Sequence, residues 1–196
     1  QLFKGGLIYL RKRLLTWYPV TQPALADDEV EMQEIDGHFY YMKYPVVDAS
    51  GQVVKWPSGQ GDHPSADSTT GPLDHSATSP MFVTVATTRP ETMLGDTAVA
   101  MNPKDPRAAA LRGKLVRLPI VNRLIPIIED DYVVLPDPSG GGDEKAKFSS
   151  GFLKVTPAHD PNDYEIGRRF DLPMINVMAP DGTISDQHGW PAEDFE

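Results

Sequence analysis

The sequence predicts an α/β chain that is mostly β: a closed or nearly closed β-barrel decorated with short helices. Many short segments are apolar or alternate apolar with polar residues, and Gly, Pro, Asn or Asp turn signals separate them. Helix-start signals mark two short helices. The predicted strands cover 6–10, 14–18, 39–47, 82–86, 97–101, 115–118, 125–128, 132–135, 153–156 and 174–178.

The two predicted helices begin with the same signals. Asp105 caps the first, Pro106 opens it, and Gly113 closes it. Asp160 caps the second, and Pro161 takes its first helical position. Both segments show the N-cap and the N1 proline in their usual order, so each is predicted to be a helix of a few turns at most.

Composition limits the class of protein. The 196 residues carry a formal net charge of −10 and suffice for one sizeable core or two small ones. That charge argues against unspecific binding to duplex nucleic acid, but not against holding one short single-stranded end. The absence of Cys excludes disulfides and thiolate metal sites, and fits a cytosolic setting. With neither a signal peptide nor a run of about 18 apolar residues, we expect a cytoplasmic protein without a membrane span.

The chain reads as one domain, residues 1–196, with one compositional break. Between 57 and 80, 15 of the 24 residues are Gly, Pro, Ser or Thr, so little there can offset the ordering entropy of a core. We interpret this stretch as a low-complexity insertion at a loop tip. The best-patterned part follows it, and we expect 81–191 to form the core around a pocket. The first residue is Gln rather than Met, so we also expect a piece of a longer chain.

The stretch from strand 153–156 into the second helix carries most of the candidate chemistry. Alternation along the strand places Lys154 and Thr156 on one face. Asp160 and Asp163 follow at the start of the helix, so an amine, a hydroxyl and two carboxylates converge on one corner. Two plainer interpretations stay open: Asp160 as an ordinary N-cap, and His159 as a hydrogen-bonded structural residue.

A second polar cluster, 87–92, follows the strand predicted at 82–86. It contains Thr87, Thr88, Arg89, Glu91 and Thr92. Alone it is typical of a polar turn, but two such corners together can form a pocket. Such a pocket suits a small polar group that bears a cation, and a free α-amino group is the natural partner of Asp163.

Other chemistries fit the sequence less well. There is no Gly-x-Ser-x-Gly motif, no Cys, and no Ser with a plausible His base, so covalent nucleophilic catalysis is not expected. His159, Asp160 and Asp163 have the side chains of metal ligands, but no second His or acid cluster lies nearby in sequence. We therefore expect neither a metal nor a cofactor.

Two long motifs carry a resemblance to a known family: residues 87–103, Thr-Thr-Arg-Pro-Glu-Thr-Met-Leu-Gly-Asp-Thr-Ala-Val-Ala-Met-Asn-Pro, and residues 154–168. Together they resemble the editing domain inserted in the catalytic domain of valyl-tRNA synthetase, a class I aminoacyl-tRNA synthetase. Segments 6–9, 14–17 and 24–31 are similar to the family's connecting strands, which would make 1–20 the link to the catalytic domain. Glu91 and the sequence Met-Leu-Gly-Asp at 93–96 favour the valine type over the leucine type.

The chain departs from the family pattern in three places and lacks two signatures. The insertion at 57–80, the sequence Ser-Ser-Gly-Phe at 149–152 and Tyr18 are unusual. The nucleotide-binding signatures of the His-x-Gly-His and Lys-Met-Ser-Lys-Ser types are absent, so no amino-acid activation is expected from this chain.

The resemblance implies hydrolysis of the aminoacyl ester of mischarged Thr-tRNA(Val), which prevents threonine from entering at valine codons. An apolar pocket is poor at rejecting an isostere that differs only by a hydroxyl group, and valyl-tRNA synthetases are themselves the standard example of this weakness. The implied partners are the 3′ end of aminoacylated tRNA(Val) and the rest of a synthetase chain, with the protein a monomer. Alternatives are a module that binds the tRNA end without hydrolysis, or an editing domain of the leucyl or isoleucyl type.

The resemblance also assigns roles to residues. Asp163 would hold the α-amino group, while Lys154, Thr156 and Asp160 would recognise the threonine hydroxyl and orient water. The residues implied in substrate binding, including those that hold the ester and the terminal adenosine, are Thr87, Thr88, Arg89, Glu91, Thr92 and His159.

Overall fold

The computed structural model describes residues 2–7, 13–55, 80–137, 139 and 144–185. The predicted insertion at 57–80, apart from Pro80, and the Gly-rich loop at 140–142 lie outside the described residues. The strands are β1 Thr16–Trp17, β2 Ala24–Leu25, β3 Tyr40–Val47, β4 Phe82–Thr87, β5 Ala98–Met101, β6 Leu115–Arg117, β7 Leu124–Glu129 and β8 Phe152–Val155. The helices are α1 Ala108–Leu111, α2 Glu144–Phe148 and α3 Pro161–Arg169, with 3₁₀ turns at Asp27–Glu29 and Pro90–Gly95.

Six of the strands form one sheet, in the order β4-β3-β6-β7-β5-β8. Neighbouring strands run antiparallel except β5 and β7, which are parallel. The two edge strands, β4 and β8, approach each other, so the sheet is nearly closed. The prediction of a mostly β, barrel-like chain with few short helices is therefore confirmed. β1 and β2 form a separate two-stranded ribbon.

The sheet encloses the main core. Inward-facing residues of paired strands meet there, such as Tyr44 and Val83 across β3 and β4, and all are buried. A second, smaller cluster lies between the other face of β5 and α3, where Ala100 and Ile166 meet Val155. Because β5 is covered on both faces, its sequence is apolar throughout rather than alternating.

Helix α3 lies unusually close to the turn that precedes it. A Cβ at Gly167 would lie 2.8 Å from the Pro157 Cγ atom, nearer than side-chain atoms approach each other. Glycine at this position therefore lets the helix pack against the end of β8, which holds the first turn of α3 beside the strand.

Several predicted elements differ from the observed ones. Residues 132–135 form a turn and irregular chain instead of a strand, since the Asp130 carboxylate accepts a hydrogen bond from the Tyr132 amide at 2.9 Å. Residues 174–178 are also not a strand: only Met178 forms a bridge, to Ile184. Helix α1 begins at Ala108, because Asp105 caps a turn instead of the helix.

The N-terminal prediction was also partly wrong. Residues 2–6 form turns, so the part of the predicted strand 6–10 that is described is not extended, and the strand predicted at 14–18 is reduced to β1. That 1–20 connects to a catalytic domain stays a prediction.

Within the described part of the chain, no helix has the length and apolar character needed to cross a membrane.

Candidate active site

The two polar corners lie side by side at the ends of the edge strands, where β4 runs into the 3₁₀ turn and β8 runs toward α3. Together they line a cavity of about 170 Å³. This is below the roughly 300–1,000 Å³ typical of pockets for drug-sized ligands, so the cavity suits a small group. Nine of the ten predicted site residues line it: Thr87, Thr88, Arg89, Thr92, Lys154, Thr156, His159, Asp160 and Asp163.

Glu91 is the predicted site residue that the structure does not bring to the cavity. It lies in the 3₁₀ turn with an exposed side chain. Four lining residues were not predicted: Ala86, Tyr132, Leu153 and Asn162. Tyr132 could not be found from sequence, since the segment that carries it was predicted as a strand.

Asp163 is the buried carboxylate of the cavity, with 6% of its surface exposed. Its Oδ2 atom accepts a hydrogen bond from the Thr156 amide at 2.8 Å, which ties the first turn of α3 to the end of β8. Burial raises the pKa of Asp163 to about 6, against the opposing effect of that hydrogen bond, and the nearby Asp160 charge adds to the rise. A carboxylate held this way is stabilised by any cation that enters the cavity.

Asp160 is the N-cap of α3, as predicted. Its Oδ1 atom accepts from the Asn162 amide at 2.8 Å and from the Asp163 amide at 3.1 Å. Asp160 also lines the cavity, so the capping role and a role in the site are compatible. The cap fixes the first turn of the helix and thereby the direction of Asp163.

Lys154 in β8 and Thr156, the residue directly after this strand, lie on the same side of the chain, as the alternation predicted, and the Lys154 Nζ atom donates to the Thr156 Oγ1 atom. The Lys154 side chain is 7% exposed and forms an ion pair of 2.9 Å with Asp96 Oδ1. Asp96 also accepts hydrogen bonds from the Thr156 hydroxyl at 2.7 Å and the Tyr44 hydroxyl at 2.8 Å. Burial raises the pKa of Asp96, although the Lys154 charge and these donors oppose the rise.

Asp96 was not among the predicted site residues, although it belongs to the motif at 87–103. The available signal was an acid two positions before the apolar strand β5, next to a glycine, where an unpaired charge would be buried. Its partners lie 52, 58 and 60 positions away in the chain, so the sequence did not indicate them.

Arg89 and His159 join the two corners. Arg89 Nη2 donates to the His159 carbonyl oxygen. The Thr87 hydroxyl oxygen accepts from the Arg89 amide at 3.1 Å, and the Thr92 hydroxyl donates to the Arg89 carbonyl at 2.9 Å. These two threonines therefore brace the backbone that presents the guanidinium.

His159 is held by the irregular segment that follows α3. Its Nε2 atom accepts a hydrogen bond from the Val177 amide at 3.0 Å. Burial lowers the pKa of His159 to about 4, with the Arg89 and Lys154 charges acting in the same direction, so the ring is neutral at physiological pH. His159 is therefore a hydrogen-bonded structural residue, as one interpretation of the sequence proposed, and it also forms part of the cavity wall.

A larger groove of about 1,200 Å³ adjoins the cavity and shares Arg89, His159 and Asn162 with it. One wall comes from the ribbon β1–β2 and the other from 174–182. The Trp17 Nε1 atom donates to the Pro180 carbonyl at 2.8 Å, which connects the two walls. The cavity thus opens into a space large enough for a ligand that extends beyond it.

Comparison with known proteins places the chain in a family. No family model matches it. Over 189 residues it is 43% identical to the valine–tRNA ligase of Synechocystis and 46% identical to that of Protochlamydia amoebophila, and over 186 residues it is 45% identical to that of Geobacillus stearothermophilus. These matches cover 95–96% of this chain but only 16% of each relative.

Among solved structures, the ternary complex of Agrobacterium radiobacter K84 agnB2 LeuRS-tRNA-LeuAMS matches 76% of this chain and 17% of that one, with 15% identity and a TM-score of 0.42. From the sequence matches, the chain belongs to the valine–tRNA ligase family and corresponds to one segment of those longer proteins. The predicted resemblance is confirmed.

Proposed function

We propose that this chain is an editing domain that hydrolyses the ester bond of threonyl-tRNA(Val). The observation that carries the proposal is the cavity itself: it is small and combines a buried carboxylate, an ammonium group and a hydroxyl. The family supports the class of substrate, since its members are valine–tRNA ligases. A ligase that must reject threonine needs a second site where the extra hydroxyl is recognised instead of tolerated.

Asp163 is the proposed anchor for the α-amino group of the misattached amino acid. Its burial makes the unpaired carboxylate costly, and an incoming ammonium group would relieve that cost. A charge-assisted hydrogen bond of this kind also fixes the orientation of the amino acid in the cavity.

Lys154 and Thr156 are the proposed recognition elements for the threonine hydroxyl. Both side chains are almost fully buried, so a ligand that pairs with them replaces no strong interaction with bulk water. A valine methyl group in the same place would leave the polar atoms unpaired, which costs about 1–3 kcal/mol per buried group. This difference is the physical basis of the proposed selectivity.

Water is the proposed nucleophile. The water oxygen attacks the ester carbonyl, the bond to the ribose oxygen breaks, and that oxygen takes up a proton, so the products are free threonine and uncharged tRNA. Positioning the ester and the water in this small cavity accelerates the reaction without requiring a dedicated general base.

The proposed partners are the 3′ end of tRNA(Val) and the remainder of a synthetase chain. The adjoining groove is large enough for nucleotides, and Arg89 lies at its junction with the cavity, where the ester and the terminal ribose would sit. A few local cations suffice to hold one single-stranded end in spite of the overall negative charge.

The test is deacylation of threonyl-tRNA(Val) and valyl-tRNA(Val), measured side by side with the chain in excess. We expect selective loss of threonine, and at least about a hundredfold slower loss for Asp163→Ala, as expected when a group that positions the substrate is removed. Arg112→Ala is the matched control, because Arg112 is exposed and pairs with Glu129 away from the cavity. Binding of the tRNA end without hydrolysis would instead support a pure binding module, and full activity of Asp163→Ala would overturn the anchor role.

A further inference from the structure

Asp96 is a fully buried carboxylate that no step of the proposed hydrolysis uses. It lies between the 3₁₀ turn Pro90–Gly95 and β5, beneath the cavity. A Cβ at Gly95 would lie 2.7 Å from the Ile175 carbonyl oxygen and 3.2 Å from the Thr156 Cγ2 atom. Only a glycine therefore allows the chain to bring Asp96 this close to β8.

Within the described part of the chain, the carboxylate of Asp96 accepts hydrogen bonds from three side chains. Lys154 and Thr156 donate to Oδ1, at 2.9 and 2.7 Å, and Tyr44 donates to Oδ2 at 2.8 Å. An ionised carboxylate has acceptors only, so each partner must direct a proton toward it. The directions of these hydrogen bonds are therefore set by Asp96.

This arrangement limits what Thr156 and Lys154 can offer to a ligand. The Thr156 hydroxyl proton is committed to Asp96, and one lone pair accepts from Lys154, so one lone pair remains. The Lys154 ammonium group has three N–H bonds, of which two are used. Among the described residues no third acceptor is within hydrogen-bond distance of it, so one N–H remains.

We propose that Asp96 is a positioning residue that determines which hydrogen-bond donors and acceptors face the cavity. With Asp96 in place, the cavity offers a ligand one N–H of Lys154 and one lone pair of Thr156. A hydroxyl group is both a donor and an acceptor and satisfies this pair, whereas a methyl group satisfies neither. The inference rests on the proposed function for the identity of the ligand, a β-hydroxy amino acid, and adds the residue that determines the preference.

The test measures binding, not turnover. The chain is titrated by calorimetry with threonyl-adenosine and valyl-adenosine analogues in which an amide replaces the ester. We expect the unmodified chain to prefer the threonyl analogue at least about tenfold, as follows from leaving two buried groups unpaired in the valyl complex.

Two variants of Asp96 separate hydrogen-bond polarity from charge. Asp96→Asn should keep the preference, because the amide oxygen still accepts from Lys154 and Thr156 while the amide nitrogen donates to the Tyr44 hydroxyl oxygen. Asp96→Ala should reduce the preference, because the Thr156 hydroxyl and the Lys154 ammonium group lose the acceptor that fixes the direction of their donors. Asp105→Ala is the matched control, since Asp105 is also buried but lies outside the cavity, and it should keep the preference.

Thr156→Val gives a second test that does not depend on the folding of Asp96→Ala. It keeps the shape of the side chain and removes the lone pair, so the preference should again fall. A threonyl preference that is as large in Asp96→Ala or in Thr156→Val as in the unmodified chain overturns the inference, as does an unmodified chain without any preference. A chain that prefers the threonyl analogue but leaves threonyl-tRNA intact overturns the proposed hydrolysis and supports the inference.

Discussion

Two buried carboxylates of this chain, Asp96 and Asp105, have opposite environments. Asp105 accepts two hydrogen bonds from the Arg107 guanidinium, at 2.9 and 2.7 Å, and a third from the Arg107 amide at 2.8 Å. All three donors belong to a residue two positions away. The Asp96 carboxylate, in contrast, accepts hydrogen bonds from Tyr44 in β3, from Lys154 in β8 and from Thr156 just after β8, and receives no backbone N–H bond in the described structure.

The pKa values of the two groups reflect this difference. Burial raises the pKa of Asp105, but the hydrogen bonds from Arg107 outweigh it, and the net shift is downward. For Asp96 burial is the larger effect, and the net shift is upward. The comparison indicates that the environment of Asp105 is built by a neighbour in sequence and stabilises its carboxylate. The environment of Asp96, beneath the cavity, leaves the ionised carboxylate with an energetic cost of burial.

The largest expected effect on stability comes from removing the cation that pairs with each carboxylate, Lys154 for Asp96 and Arg107 for Asp105. Lys154→Met removes the ion-pair partner of the buried Asp96 carboxylate and should lower the free energy of unfolding by about 3–5 kcal/mol. Arg107→Met should cost only about 1–2 kcal/mol, since Asp105 keeps the hydrogen bond from the backbone amide. Urea unfolding of both variants measures the difference.

The loss in Lys154→Met should also depend on pH. The raised pKa of Asp96 means that the folded state takes up a proton more readily than the unfolded state, so lowering the pH should recover stability. If Lys154→Met and Arg107→Met lose the same free energy of unfolding at all pH values, the distinction between the environments of Asp96 and Asp105 is wrong.

Asp163→Asn should stabilise the fold while abolishing deacylation. The folded-state pKa of about 6 lies above the ordinary 3.8, so the fold loses up to about 3 kcal/mol as the pH rises between these values, and the loss persists at higher pH. The asparagine oxygen can still accept from the Thr156 amide, and no charge remains to be desolvated.

Unfolding curves of Asp163→Asn and the unmodified chain, taken from acidic to neutral pH, test this expectation. The gain should vanish below the ordinary pKa of an aspartate. Deacylation by the unmodified chain should in turn weaken as the pH falls through about 6, because the anchor becomes protonated. A variant no more stable than the unmodified chain at neutral pH would contradict the cost assigned to this carboxylate.

The smallest expected effect on stability is that of Asp160. Asp160→Ala removes the N-cap of α3 and should cost about 1 kcal/mol, whereas Asp160→Ser should restore most of that loss. If Asp160 also contacts the substrate or its water, deacylation should stay about tenfold low in Asp160→Ser, as expected for the loss of one positioned group. Thermal melts and single-turnover rates of both variants give the answer. Activity that returns together with stability would leave Asp160 with the capping role alone.

Local signals predicted much of the fold and of the candidate site. The alternation at 153–156 predicted that Lys154 and Thr156 share a face, and the Asp-Pro pair predicted where α3 begins. The same reasoning failed for 132–135 and 174–178. There side chains satisfy the backbone: Asp130 binds the Tyr132 amide and His159 binds the Val177 amide, which removes the need for a strand partner.

The positions of most strands, the cap of α3, the two motifs and the family to which they point could all be predicted from the amino-acid sequence. These features depend on residues within a few positions of one another, or on the motifs taken as whole strings. That Asp96 lies beneath the cavity and that Glu91 lies outside it became visible only in the folded chain. The reason is that desolvation and charge pairing arise only when strands far apart in the chain close the sheet, and no local pattern encodes which acid will then be buried.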